Sequence, residues 1–146
     1  MTGTTIEIVT APSDDDVREL AALLVDTVES GAGVSFMAGL PQDDAAAWWR
    51  KTFNTAPSRA IILVARDEEG IVGTVQLQPA WAPNQPHRAD VAKLMVHQRA
   101  RRHGIARALM KELERRARER RFTLLLLDTC KGYDAVFFYK ELPAQS

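Results

Sequence analysis

One stretch of the chain constrains the fold more than any other. It contains, in order, an apolar segment, a basic loop, an amphipathic helix and a second apolar segment. Apolar residues spaced four apart give the helix predicted at 105–120 a single buried stripe. These residues are Ile105, Leu109, Leu113 and Ala117. The flanking segments, 89–96 and 122–127, are predicted strands, and the second is apolar on both alternating faces, as interior strands of parallel pairs are. With the loop at 98–103, they predict a βαβ unit with a right-handed crossover.

Two more helices are predicted in the first third of the chain. Ser13 followed by Asp16 is a capping-box pattern, which should open a helix that ends near Gly31. Asp43 is expected to cap a second, shorter helix over Asp44–Thr52.

The remaining pattern predicts strands. Alternation of apolar and polar residues at 6–8 indicates a first strand. Apolar runs at 61–64 and 71–78, separated by the polar turn at 67–70, predict an antiparallel hairpin. The segment 81–87 contains two prolines and is expected to form a loop.

The chain of 146 residues fits a single domain, 1–146, with one sizeable core. No apolar run approaches the ~20 residues of a membrane-spanning helix, and the N-terminus lacks the pattern of a secretory signal. Cys130 is the single cysteine, so neither an internal disulfide nor a cysteine-based metal site is expected. His87 and His97 lack metal-ligand spacing and are expected to be solvated. We therefore predict a cytoplasmic protein without a metal.

Positive charge is concentrated in one segment although the formal net charge is zero. Residues 97–121 hold ten Lys and Arg against three acidic residues, whereas residues 1–58 hold nine acidic residues against three basic ones. The cations that directly precede the predicted helix are Arg99, Arg101, Arg102 and His103. A helix N-terminus is itself partly positive, so these cations predict a bound anion, which Gly104 would let approach the backbone. The alternative is a solvated arginine face; nucleic acid is disfavoured by the acidic first third.

The loop sequence excludes two common phosphate-binding motifs, because neither Gly-x-x-x-x-Gly-Lys-Ser/Thr nor Gly-x-Gly-x-x-Gly occurs. Instead, Arg101-Arg102-His103-Gly104-Ile105-Ala106 resembles the Arg/Gln-x-x-Gly-x-Gly/Ala signature of the GNAT superfamily of N-acetyltransferases. The segments 33–40 and 88–96 look like its tabtoxin-resistance branch. The resemblance implies an α/β fold of the α+β, GNAT-like kind. Such a fold has a mixed, mostly antiparallel central sheet, a parallel βαβ cofactor-binding unit and flanking helices.

The resemblance also implies acetyl-CoA as co-substrate. Its pyrophosphate would lie on the backbone amides of Arg101, Arg102, His103, Gly104, Ile105 and Ala106. Its pantetheine would pair with the exposed backbone of the preceding strand at Leu94, Met95 and Val96, where an amide would also polarise the thioester carbonyl. Because backbone groups make these contacts, the identity of the Met95 side chain is expected to matter little.

Transfer to an amine requires a base, because an ammonium with a pKa near ~10 is mostly protonated at neutral pH. By the resemblance, Asp90 is the first candidate, acting through water, and Asp128, at the end of the next strand, is the second. Glu29 is a third. The alternatives are a hydrogen-bonding role at a strand end for Asp90 and a cap or turn role for Asp128.

Aromatic residues are the candidates for the acceptor pocket. Phe36 and Trp81 are expected to contact the substrate, whereas Trp48 and Trp49 are expected to pack in the core. Cys130 is expected to be an incidental thiol, since direct transfer needs no acyl-enzyme.

The chain departs from the family pattern after Thr129. The family places a helix, a strand and a loop before its last strand, whereas here the segment Tyr133–Leu142, which resembles that last strand, follows almost at once. Either a segment near 130–133 is missing from the chain, or the sequence closes up a gap, and we favour the gap. That helix often carries the tyrosine that protonates the departing thiolate, a role for which Tyr133 is a guess.

We therefore predict an enzyme, an acetyl-CoA-dependent N-acetyltransferase that acetylates an antibiotic-like or amino-acid-like amine by direct attack in a ternary complex. The alternative is a catalytically silent acyl-CoA-binding or regulatory module. The predicted partner is a small-molecule amine acceptor, with neither nucleic acid nor a membrane, and a homodimer is left open.

Overall fold

The computed structural model describes residues 3–30, 39–57, 59–79, 88–101, 103–122, 124–131 and 134–141. Side chains are described as far as Phe122 and at Leu125. Phe36, Trp81, Arg102 and Tyr133 lie outside the described residues.

A six-stranded sheet forms the centre of the described structure, with its strands in chain order. The elements are β1 (Thr5–Ile8), α1 (Asp14–Glu29), α2 (Gln42–Thr55), β2 (Ile61–Asp67), β3 (Gly70–Pro79), β4 (Arg88–Val96), a 3-10 turn (Gln98–Ala100), α3 (Ile105–Glu119), β5 (Leu124–Lys131) and β6 (Asp134–Glu141). Neighbouring strands are antiparallel except β4 and β5, which are parallel and are joined through α3. The predicted mixed, mostly antiparallel sheet with one parallel βαβ unit is therefore confirmed.

Each face of the sheet is covered by helix, so the core has two layers. One layer packs the apolar stripe of α3 against alternate residues of β2, β3 and β4, including Leu63, Leu77 and Val91. The other packs α1 and α2 against the opposite face, where Ile62, Val64 and Met95 lie. The spacing of four in α3 and the alternation in the strands produce this arrangement, because each places apolar side chains on one side.

The two predicted helix starts have different outcomes. The capping box is confirmed: Ser13 Oγ accepts from the Asp16 amide at 3.0 Å, and Asp16 Oδ2 accepts from the Ser13 amide at 3.1 Å. The cap predicted at Asp43 is wrong, because the Ala45 amide already bonds to the Pro41 carbonyl at 3.0 Å and α2 begins at Gln42. Asp43 lies in the first turn, where its charge favours the helix.

β5 continues into β6 through two residues. Lys131 pairs with Asp134 at the turn, and the register runs back to Leu124 opposite Glu141. Among the described residues no helix separates these strands, in line with the departure from the family pattern that the sequence shows after Thr129. Among the described helices, none has both the length and the apolar character needed to cross a membrane.

Candidate active site

The pairing between β4 and β5 stops partway along β4, which leaves an open edge in the sheet. The last parallel pair is Val91 with Leu127, yet β4 continues to Val96. Beyond that pair β5 is paired with β6. The stretch 92–96 of β4 therefore has no strand on its β5 side among the described residues. This edge is a candidate for binding an extended ligand, the role that the family resemblance implies for Leu94, Met95 and Val96 and that stays a prediction.

A bulge in β4 accompanies the opening. Thr74 pairs with Met95 and Gln76 with Ala92, so Val75 alone faces two residues, Lys93 and Leu94. Lys93 has a φ of 57°, and Leu94 is 41% exposed. Bulges bend a strand and redirect its side chains, which here places Leu94 in solvent.

Met95 returns to the interior after the bulge. Its side chain is 2% exposed and belongs to the core layer under α1 and α2. The identity of the side chain therefore matters for packing, because truncating a buried Met costs about 2–5 kcal/mol; that it matters little for cofactor contacts stays a prediction.

The N-terminus of α3 lies next to this open edge and lacks a side-chain cap. Its N-cap residue is Gly104, in the left-handed conformation with a φ of 75°. The first backbone hydrogen bond runs from the Ala108 amide to the Gly104 carbonyl at 3.0 Å. The amides of Ile105, Ala106 and Arg107 therefore point out of the helix end without an acceptor in the described part of the chain. Such amides, together with the helix dipole, bind phosphate oxygens.

Arg99 does not belong to this anion site, contrary to the sequence prediction. Its guanidinium contacts Asp67 Oδ2 at 2.9 Å and Glu69 Oε2 at 2.7 Å, both in the β2–β3 turn. The hydrogen bond from Arg99 is the main reason that the pKa of Asp67 lies below its usual value. The reason for the difference is the hairpin, which brings two acidic residues beside a cation that sequence alone left unpaired.

Arg101 and His103 remain at the helix N-terminus, and both are exposed. Arg101 donates from Nε to the Val96 carbonyl at 3.1 Å and from Nη2 to Ser30 Oγ at 2.9 Å. The carbonyl of Val96 thus already has a donor within the protein.

His97 ties this loop to the end of α1, and it is half-buried rather than solvated as predicted. Its Nε2 lies 3.4 Å from Asp26 Oδ1, and its Nδ1 accepts from the Arg99 amide at 3.2 Å. The Gln98 amide donates to Asp26 Oδ2 at 3.0 Å. Together these contacts fix the turn from which α3 starts.

Asp90 lies at the other side of the opening, one residue before the last β4–β5 pair. It lines a cavity of about 430 Å³ between α2 and the sheet. Its Oδ1 is buried without a hydrogen-bond partner in the described protein, and the nearest ion-pair contact is Arg88 Nη2 at 3.8 Å. The side chain as a whole is 44% exposed. Asp90 therefore lies in the wall of a cavity beside the open edge of β4.

The same cavity contains a residue that sequence reasoning missed. Gln76 lies on the α2 face of β3, is 3% exposed, and has no hydrogen-bond partner for its Nε2 in the described protein. The alternation of β3 could have placed it on a buried face, but nothing in the sequence marked its amide as unpaired.

The two tryptophans expected in the core have different positions. Trp49 is fully buried, as predicted. Trp48 is half-buried, packs edge-on against Trp49 at a ring-centroid distance of 4.9 Å, and lines the cavity with Asp90. The cavity is thus a candidate acceptor pocket, with Trp48 and Thr52 on its helix side.

The other candidate bases are less defined. The backbone of Asp128 lies in β5 opposite Phe137, one residue past the last β4–β5 pair, and its side chain is outside the description. Glu29 is exposed at the end of α1 and does not line the cavity. No cluster of three metal-ligating side chains occurs among the residues that the structure describes.

Comparison with known proteins gives a matching family model and solved structures of similar fold. A sequence model described as "Acetyltransferase (GNAT) family" matches residues 17–142. The fold is similar to that of Salmonella typhimurium yncA, solved with acetyl-CoA, with a TM-score of 0.71 and 14% identity over 99% of this chain and 96% of that one. It is also similar to a ribosomal-protein-alanine N-acetyltransferase from Brucella melitensis, with a TM-score of 0.68 and 24% identity over 88% and 76%.

A third solved structure is an aminoglycoside 6'-N-acetyltransferase complexed with coenzyme A. It matches with a TM-score of 0.65 and 20% identity, over 86% of this chain and 61% of that one. At these sequence identities the three similar structures establish the fold but do not identify the acceptor.

Proposed function

Because the chain belongs to the acetyltransferase (GNAT) family, we propose that it transfers the acetyl group of acetyl-CoA to the amine of a small molecule by direct attack in a ternary complex. One observation carries the proposal: the open edge of β4 lies between the uncapped N-terminus of α3 and the cavity that contains Asp90. A donor bound along that edge would present its thioester to an acceptor in the cavity.

The residues around α3 fit a diphosphate-bearing donor. Three outward-pointing amides, at Ile105, Ala106 and Arg107, supply hydrogen-bond donors, and Arg101 and His103 add cationic groups close by. The edge of β4 at 92–96, which has no strand on its β5 side among the described residues, supplies backbone for pairing with the pantetheine amides. When bound, acetyl-CoA provides an activated acyl group on a thiol leaving group.

The cavity fits an amine acceptor. Asp90 provides the negative charge that attracts an ammonium group, and Trp48 provides an aromatic face against which its apolar part packs. Asp90 then accepts the amine proton through water, which leaves a lone pair for attack. Asp128 is the second candidate for this role.

The chemical class of the amine acceptor is the most specific part of the proposal. The segments 33–40 and 88–96 favour the tabtoxin-resistance branch, whose likeness supports an antibiotic-like or amino-acid-like amine. A second candidate function is a silent acyl-CoA-binding module. The direct passage from β5 to β6 favours it, because the helix that often carries the general acid is not between them.

The test is thiol release from acetyl-CoA across a panel of amines, with wild-type protein, Asp90→Asn and a matched control. Asp15→Asn is the control, since Asp15 is an exposed carboxylate on α1 paired with Arg18 at 2.8 Å. We expect Asp90→Asn to lower kcat by about 10²–10⁴-fold, with the defect shrinking as pH rises and more amine arrives deprotonated. Acetyl-CoA affinity should stay unchanged.

The outcomes separate the candidate functions. Binding of acetyl-CoA without thiol release from any amine would favour the silent module. Turnover that is indistinguishable between wild type and Asp90→Asn at every pH would remove Asp90 as the base, and Asp128→Asn would be the next substitution.

A further inference from the structure

We propose that the acceptor is a primary amine with an apolar body and no carboxylate or other acidic group. This inference rests on the proposed function, because it takes the cavity that Asp90 lines as the acceptor pocket. It narrows the acceptor class, because free amino acids are then excluded.

Asp90 is the one ionisable side chain in the described wall of this cavity. Its Oδ1 is buried, yet the side chain as a whole is 44% exposed, so the accessible surface lies on the remaining atoms, which include Oδ2. The segments 31–38 and 80–87, which follow α1 and β3 along the chain but lie outside the described residues, contain no Lys or Arg. A carboxylate in the wall attracts an ammonium group and repels a second carboxylate.

The C-terminal end of α2 adds negative potential to the same wall. Its last turn contributes Thr52 and Thr55, and the chain after it contributes Ala56 and Pro57. That turn, which the structure describes in full, contains no basic residue. The last carbonyl groups of a helix lack intrahelical partners, and together they act as roughly half a negative charge. The helix end therefore favours a bound cation, as Asp90 does.

The hydroxyl groups of Thr52 and Thr55 offer lone pairs rather than protons. Thr52 Oγ1 donates to the Trp48 carbonyl at 2.9 Å, and Thr55 Oγ1 donates to the Lys51 carbonyl at 2.8 Å. Because each hydroxyl proton is used within the helix, any contact of these oxygens with a ligand is made as an acceptor. An ammonium group supplies the matching donors, whereas a carboxylate supplies only further acceptors.

Two cations near the cavity already contact groups of the protein. Arg88 Nη2 lies 3.8 Å from Asp90 Oδ1, and Lys93 Nζ lies 5.8 Å from the centroid of the Trp48 ring. Neither cation belongs to the described wall of the cavity. A carboxylate on the acceptor would have to draw one of them away from these contacts.

Most of the described wall is apolar, which accounts for the body of the acceptor. The apolar residues include Trp48, Ala60, Ile62, Leu77 and Pro79. Apolar surface of a ligand gains free energy on leaving water for such a wall, whereas a carboxylate loses its hydration there and gains no cation in return. Charge and lining together select an amine whose remaining part is apolar.

The test measures kcat/KM of the wild-type protein for matched sets of acceptors. One set is phenethylamine, phenylalaninamide and phenylalanine; the other is tryptamine, tryptophanamide and tryptophan. Values are referred to the concentration of neutral amine, so that differences in amine pKa do not enter. We expect the amine and the amide to exceed the acid by about 10–100-fold, because a charged group left unpaired in a cavity is costly. The amide controls for size, since it has the bulk of the acid without its charge.

A cation added to the wall should weaken this preference. Thr55 is exposed and lines the cavity, so Thr55→Lys should lower the ratio of amine to acid about threefold to tenfold. Asn54→Lys is the matched control, because it adds the same charge to the same turn but Asn54 lines a different cavity, beside the start of α1. This control should keep the wild-type ratio. A lysine near a helix C-terminus favours the helix, so both variants are expected to fold.

Several outcomes would overturn the inference. They are an acid that is used as well as its amine, an amide that is as poor as the acid, turnover confined to amines that carry an acidic group, and equal ratios in Thr55→Lys and Asn54→Lys. Failure of wild type to release thiol with any amine would instead refute the proposed function. Calorimetric titration of the coenzyme A complex would then test the cavity alone: tighter binding of phenethylamine than of phenylalanine supports the inference, and any other result overturns it.

Discussion

Gly73 and Ile105 approach so closely that a Cβ at Gly73 would lie 3.1 Å from Ile105 Cγ2. The same Cβ would lie 3.1 Å from Leu109 Cδ1 and 3.3 Å from the Met95 carbonyl oxygen. The missing side chain therefore lets α3 pack directly onto β3. This packing holds the first turn of α3, with its free amides, beside the open edge of β4.

Replacing Gly73 with alanine should push α3 away from the sheet. Overpacking of this kind costs about 1–3 kcal/mol, so we expect Gly73→Ala to lower the unfolding temperature by several degrees and to weaken binding of coenzyme A. Thermal unfolding with and without coenzyme A measures both effects. Gly3→Ala is the control, since a Cβ there meets nothing within 4 Å; equal unfolding temperatures for both variants would contradict the prediction.

Substitutions at Gly104 should separate charge from bulk at the anion site. Coenzyme A at 100 times its Kd should stabilise wild type by about 2.7 kcal/mol, and Gly104→Asp should abolish this stabilisation. Gly104→Asn introduces a side chain of nearly the same shape without the charge, and asparagine fits the left-handed conformation. This variant should therefore keep part of the stabilisation by coenzyme A. A carboxylate at a helix N-terminus favours the helix itself, so the ligand-free aspartate variant should be no less stable than the asparagine variant. Equal affinities of the two variants would contradict phosphate binding at this turn.

The neighbouring tryptophans should respond differently to truncation. Trp49→Ala removes a fully buried side chain and should destabilise the protein by about 3–5 kcal/mol. Trp48→Ala should cost less stability but raise the KM for the acceptor up to about tenfold, as loss of an aromatic contact of ~1.4 kcal/mol would. Chemical unfolding and steady-state kinetics on both variants check this prediction, which an unchanged acceptor KM for Trp48→Ala would refute.

Asp16 should contribute stability that is lost in acid. A hydrogen bond from Arg66 Nη1, at 2.8 Å, is the main cause that holds the pKa of Asp16 below its usual value. The contribution is therefore complete above the unfolded pKa of ~3.9 and is lost as pH falls through the lower folded pKa. Asp16→Asn should reduce stability at pH 7 and make it fall less steeply below pH ~4. Arg66→Met should have the same effect. Unfolding free energies of both single variants and of the double variant, measured from pH 2 to 7, check this prediction. Additive losses in the double variant would contradict the pairing.

The sequence by itself predicted most of the elements and a donor site. Periodicity predicted α3 and the β2–β3 hairpin, because burial of one face imposes a spacing that a single chain displays. The loop before α3 predicted an anion site, since cations at a positive helix end need a counter-charge. Asp90 was chosen by its likeness to an acidic position in a known family; it lies beside the cavity, and its role as a base stays a prediction.

Only the tertiary structure decided which charges and polar groups remain available. Arg99 looked like part of the anion site until the hairpin turn placed Asp67 and Glu69 against it. Trp48 and Trp49 are adjacent and alike in sequence, yet packing buries one and leaves the other in the cavity wall. Gln76 lies on the cavity face only because the register of β3 sets it opposite Ile62 and Ala92. Pairing and burial depend on residues distant in the chain, so local pattern cannot specify them.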